Sequence, residues 1–92
     1  MNTIWKFPVE ITPEFEIEAP IVRFLAVQVQ GAIVQAPYIW AEVDPNSKIV
    51  RKFKFYVRGT GHPMEDAANK PYFGTFQLHG GALVFHVFGG LA

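Results

Sequence analysis

Three histidines and one arginine carry most of the chemistry this chain can offer, and all of them fall between Arg58 and His86. Arg58-Gly59-Thr60-Gly61-His62-Pro63 reads as a strand running into a turn. Glycines let backbone N–H groups approach an anion, and Arg58 and His62 flank them, which suits a phosphate. The spacing is neither a P-loop nor a dinucleotide fingerprint, because a single Gly-x-Gly occurs and no helix follows directly. The same residues also read as a plain strand-terminating turn, with Pro63 fixing its exit.

Further on, Tyr72–Phe88 reads as a strand, a Gly80-Gly81 turn requiring positive φ, and a return strand. A tight turn there opposes Leu78 to Leu83, Phe76 to Phe85 and Gly74 to Val87 on one apolar face. The other face then pairs His79 with Ala82, Gln77 with Val84, Thr75 with His86 and Phe73 with Phe88. Opposed side chains approach closely, so Thr75, Gln77, His79 and His86 form one polar patch among large hydrophobes. That patch suits a ligand contact, or a subunit contact in which Thr75 and His86 are a cross-strand hydrogen-bonded pair.

Other candidates are weaker. Lys52, Lys54 and Arg58 share a strand face with Tyr56, a pattern that fits a nucleotide by charge and stacking but equally a solvated face. Trp40, Tyr56 and Tyr72 are the rings available to stack a base. His62, His79 and His86, with Glu65 or Asp66, match no metal-ligand spacing, so no metal site and no cofactor are assigned. The chain has one serine, no cysteine and no paired-carboxylate signature, so no catalytic residue is assigned. A histidine-dependent phosphodiesterase stands as the lesser alternative.

The elements that must position these groups follow from composition and periodicity. Ninety-two residues make one β domain, 1–92, with half its residues apolar and nine of them Phe. Such a chain buries only about 60–65% of its unfolded surface, so part of that apolar content is expected between subunits of a homo-oligomer. Eight basic residues balance eight acidic ones, which argues against general nucleic-acid binding. Absence of cysteine excludes a disulfide framework. The apolar runs fall short of the roughly 20 residues that span a bilayer, and the start lacks a signal-type pattern, so a cytoplasmic protein without membrane contact is expected.

Alternation predicts strands at Thr3–Ile11, Glu14–Glu18, Ile21–Gln30, Tyr38–Val43 and Ile49–Arg58, besides the terminal hairpin. Pro8 places the first at an edge. The row Glu14, Glu16, Glu18 reads as the wet face of an edge strand. In the third, Leu25, Val27 and Val29 point inward. Pro63–Asn69 allows one helical turn. The expected fold is all-β: a small antiparallel sheet, barrel- or sandwich-like, of six to seven strands.

With those residues on the page, the chain resembles a family of short phage- and prophage-encoded proteins of unassigned function. The likeness rests on Ile4-Trp5-Lys6-Phe7-Pro8, Trp40-Ala41-x-Val43-Asp44-Pro45, Gly59-Thr60-Gly61-His62-Pro63 and the Gly74–Phe88 block. Members carry an acidic residue after the final Phe, where this chain has Gly89-Gly90-Leu91-Ala92. In size and lack of catalytic residues the chain is also similar to small viral proteins that sequester cyclic nucleotide immune signals. The expectation is therefore a non-enzymatic protein that binds and sequesters a small phosphorylated ligand. In it, Arg58, Gly59, Thr60, Gly61 and His62 meet phosphate, Trp40, Tyr56 or Tyr72 stack a base, and Thr75, Gln77, His79 and His86 supply polar contacts. The alternative is a homo-oligomeric protein-interaction or structural accessory module.

Overall fold

Alternating burial is the signature of a strand with one face on a core, and β2 (Glu14–Ala19) and β4 (Ala36–Val43) show it residue by residue. The remaining strands are β1 (Thr3–Pro8), β3 (Ile21–Gln30), β5 (Arg51–Gly59), β6 (Tyr72–Leu78) and β7 (Leu83–Leu91). A 3₁₀ turn covers Glu65–Asn69. The coordinates, a computed structural model, describe residues 1–91; Ala92 lies outside the described residues. The all-β expectation holds, with seven strands in two antiparallel sheets.

The first sheet runs in the order β1-β4-β3 and the second in the order β2-β5-β7-β6. They form a flat two-layer sandwich of 40 × 33 × 16 Å. Between the layers lie Phe15, Ile17, Ile39, Phe55, Val57, Phe76, Leu78 and Val87, all buried. In the second sheet, Glu16 sits opposite Lys54 and Glu18 opposite Lys52, a cross-strand charge pairing that supports this register. The row of glutamates is on an edge strand, as the alternation implied.

Register shifts interrupt β3, after Ile21 and after Phe24, and β6, after Tyr72, and one contact accounts for the last two. In β3 the register slips between Phe24 and Ala26, so Leu25 is 43% exposed instead of pointing inward. In β6 it slips between Tyr72 and Gly74, so Phe88 pairs with Tyr72 and not with Phe73. The two bulges deliver Phe24 and Phe73 to the same place, edge-to-face with centroids 5.0 Å apart, and Phe55 lies against both at 5.4 and 5.1 Å. A bulge re-aims side chains, and here it brings two rings inward that strict alternation would separate. Beside them Gly74 lies so close to β3 that a Cβ there would be 3.0 Å from Val27 Cβ.

The hairpin register is otherwise as expected, from Gly74–Val87 to Leu78–Leu83. His79 and Ala82 leave the ladder and close the turn instead, Ala82 N–H donating to the His79 carbonyl at 3.2 Å. Gly80 and Gly81 have φ of 65° and 96°. The first strand ends at Pro8, short of Ile11, and the fifth starts at Arg51, leaving Ile49 exposed.

Candidate functional site

Arg58 is the penultimate residue of β5, on the outer face of the second sheet, beside the last residues before β2. Its guanidinium is spent on the protein. Nε donates to the Met64 carbonyl at 3.1 Å, and Nη1 to the carbonyls of Pro13 at 2.6 Å and Val57 at 3.0 Å. Nη2 pairs with Asp66 Oδ1 at 2.9 Å. Four of the five N–H donors are thus committed, and the side chain is only 10% exposed. Arg58 is therefore a clasp: it ties the β1–β2 connection to the segment that follows β5.

Between those two tied segments lies a cleft of about 400 Å³. One wall is Ile11, Thr12 and Pro13; the other is Gly59, His62, Pro63 and Glu65; Val57 and Phe85 contribute apolar surface. The turn Gly59–His62 is closed by the His62 N–H donating to the Gly59 carbonyl at 3.0 Å, with Gly61 at φ 89°. Only glycine fits position 59 with His62 so placed, since a Cβ there would come 2.8 Å from His62 Nδ1. His62 itself is exposed, so one imidazole stands at the cleft wall with its ring over backbone.

Thr60 turns the other way. Its hydroxyl is 2.8 Å from His86 Nε2, the opposite ring nitrogen is 2.9 Å from Thr75 Oγ1, and Thr75 Oγ1 is 2.6 Å from the Tyr72 hydroxyl. This chain of hydroxyls and one imidazole crosses β7 on the outer face of the second sheet. A neutral imidazole has one donor and one acceptor, so each of its two threonine contacts can be satisfied. The Thr75–His86 pairing expected from the hairpin is present and extends to Thr60.

The other residues singled out in the sequence scatter. Tyr56 is buried, its ring covered by Lys54 Nζ, Arg58 and Lys70 Nζ at 5.6, 5.8 and 5.8 Å, so no ring face is offered to a base. Lys54 also pairs with Glu14 at 3.3 Å, and hydrogen bonding to that carboxylate holds its ammonium above the ordinary lysine value. The basic strand face is therefore matched by the β2 carboxylates. Gln77 lies exposed beyond Thr75, and His79 sits in the β6–β7 turn, its backbone N–H donating to Gln35 Oε1 at 2.9 Å. Gly61 is at the exposed tip of its turn. Trp40 belongs to the other sheet, on its outer face with Tyr38 and Lys6, across the sandwich from the cleft. Among the described residues no group of three or more His, Cys, Asp or Glu could hold a metal ion.

Sequence reasoning missed Ile11, Thr12, Pro13, Glu65 and Phe85 as cleft residues. A usable signal existed for the first three. Setting Glu16 and Glu18 against Lys54 and Lys52 gives the β2–β5 register, and that register carries Pro13 to Val57, next to Arg58.

The chain belongs to the family described as "Domain of unknown function (DUF7352)", whose model matches residues 1–91. No curated protein and no solved structure shows a significant match to it. No helix among the described residues is long and apolar enough to cross a membrane.

Proposed function

Starting from a family whose description names no activity, we propose that the protein is a non-enzymatic binder that holds a small phosphorylated ligand in the Arg58-clasped cleft. The observation that carries this reading is the clasp itself. Both walls are tied by hydrogen bonds that Arg58 makes to the protein's own carbonyls, so little ordering cost remains for binding. The cleft volume lies in the range of small-molecule sites, with apolar walls and few polar groups.

Charge narrows the ligand. Arg58 keeps one free N–H, His62 is the only other basic group of the wall, and Glu65 lines the rim. Such a site suits a singly charged phosphodiester better than a triphosphate, which would meet Glu65 and Asp66. Ile11, Pro13 and Phe85 then take the apolar part of the molecule. A cyclic nucleotide sequestered by a phage-type protein is the finest form of this reading, and it draws on the sequence resemblance. Binding without turnover draws on the sequence, which has one serine, no cysteine and no paired-carboxylate signature.

The test is calorimetry and thermal shift with cyclic mononucleotides, cyclic dinucleotides and ATP. A cyclic nucleotide should raise Tm by mass action and be recovered intact, and His62→Ala should weaken binding without loss of fold. No stabilisation by any of them would reject the reading. A second reading, a protein-interaction module, is favoured by the outer face of the first sheet, where Ile4 and Leu25 are 59% and 43% exposed beside Trp40. It predicts capture of one partner protein, lost in Leu25→Asp, with no response to nucleotides.

A further inference from the structure

We propose that β1 pairs edge-to-edge with β1 of a second copy of this chain, joining two three-stranded sheets into one six-stranded sheet. The proposal rests on β1 alone and not on the cleft.

The direction of the free backbone groups follows from one hydrogen bond. Val9 N–H donates to the Pro37 carbonyl at 3.0 Å, continuing the β1–β4 register that joins Phe7 to Ile39 and Trp5 to Ala41. In an antiparallel ladder hydrogen-bonded and non-bonded pairs alternate. Thr3, Trp5 and Phe7 therefore bond to β4, while the N–H and C=O groups of Ile4 and Lys6 point away from it.

The other three edges are blunted. Three glutamates stud β2, and β3 and β6 are bulged and packed against one another. β1 is guarded only at its end, by Pro8; it is regular from Thr3 to Pro8 and exposed at every position but Phe7. Its one charge is drawn off the edge: Lys6 Nζ lies 4.5 Å from the Tyr38 ring centroid and within 2.6 Å of Gln30 Oε1, on the far strand.

A second copy is the occupant because β1 complements itself. Pairing the outward groups while matching the sheet faces leaves two antiparallel registers free of a Lys6–Lys6 clash, one centred on Ile4 and one on Trp5. In the second, Ile4 of each copy opposes the partner's Lys6, and the two Trp5 rings meet at the two-fold axis. Trp5 and Ile4, now 41% and 59% exposed, become covered in either.

The experiment is sedimentation equilibrium over a concentration series, with amide exchange on the same samples. The wild-type chain should pass from monomer to dimer, and the amides of Ile4 and Lys6 should gain protection with concentration. Those of Trp5 and Phe7 should be protected throughout. Ile4→Pro removes only an outward N–H, so it should stay monomeric with an unchanged far-UV spectrum. Should that variant not fold, Ile4→Lys decides, since it sets lysines opposite one another in both registers and should weaken dimerisation about tenfold or more. A wild-type chain that remains monomeric, or a folded Ile4→Pro or Ile4→Lys variant that dimerises as wild type does, would overturn the proposal.

Discussion

Along one long side of the sandwich β3 lies over β6, and Phe24, Phe53, Phe55 and Phe73 mesh with Gly74 pressed on Val27. Along the other, β1 and β2 end their sheets with free edges, one regular and apolar, the other lined with carboxylates. The same chain thus closes one side by packing and leaves the opposite side to solvent or to partners. The difference teaches where stability resides and where interaction is available, and substitutions on the two sides should separate the two.

The largest effect belongs to the closed side. Phe24→Ala removes a ring that touches three others and should cost about 3–4 kcal/mol in denaturant unfolding. Trp5→Ala, on the open side, should change monomer stability by less than about 1 kcal/mol. Equal losses would mean the two sides do not differ. Next comes Arg58→Ala, which strips four hydrogen bonds from a nearly buried site and should cost about 2–3 kcal/mol. A stability equal to wild type would show that the clasp does not hold the cleft walls. Gly74→Ala must push Val27 aside, an overpacking of about 1–2 kcal/mol, readable as a lower Tm.

The smallest effect is a pH dependence in the middle of the first sheet. Glu42 accepts from Asn2 at 2.8 Å and from Arg23 at 2.8 Å, and these contacts, Asn2 first, hold its carboxyl below the ordinary carboxylate value. A depressed folded-state pKa stabilises the fold above the unfolded pKa, and that contribution is lost as pH falls through the folded one. Glu42→Gln should therefore flatten the acid limb of a stability–pH curve measured by denaturant unfolding. An acid limb that matches wild type would assign the slope to other carboxylates.

Much of this contrast was legible in the chain. Alternation located every strand, even β1, which is exposed at every position but Phe7, and the two glycines marked the β6–β7 turn. What stayed illegible were long-range choices. Nothing local says that Phe24 and Phe73 will meet, so the bulges that turn Leu25 outward and move Phe88 onto Tyr72 could not be read. The site was half visible for a similar reason. Arg58, Gly59 and His62 form one cleft wall, but Arg58 also faces the Pro13 carbonyl, which only the β2–β5 pairing brings near. A guanidinium that looks like an anion site in one dimension is, in three, a fastener.

That fastener also sets an order of events. Arg58 reaches Pro13 across 45 residues of sequence and Met64 and Asp66 across 6 and 8. Its local bonds need only a short loop closure, whereas the Pro13 bond must wait until β2 has docked on β5. The cleft is therefore complete only where the β2–β5 pairing has brought Pro13 to Arg58. Any opening of the cleft at Pro13 must break the Arg58 bond and the Val57 N–H bond to the same carbonyl together.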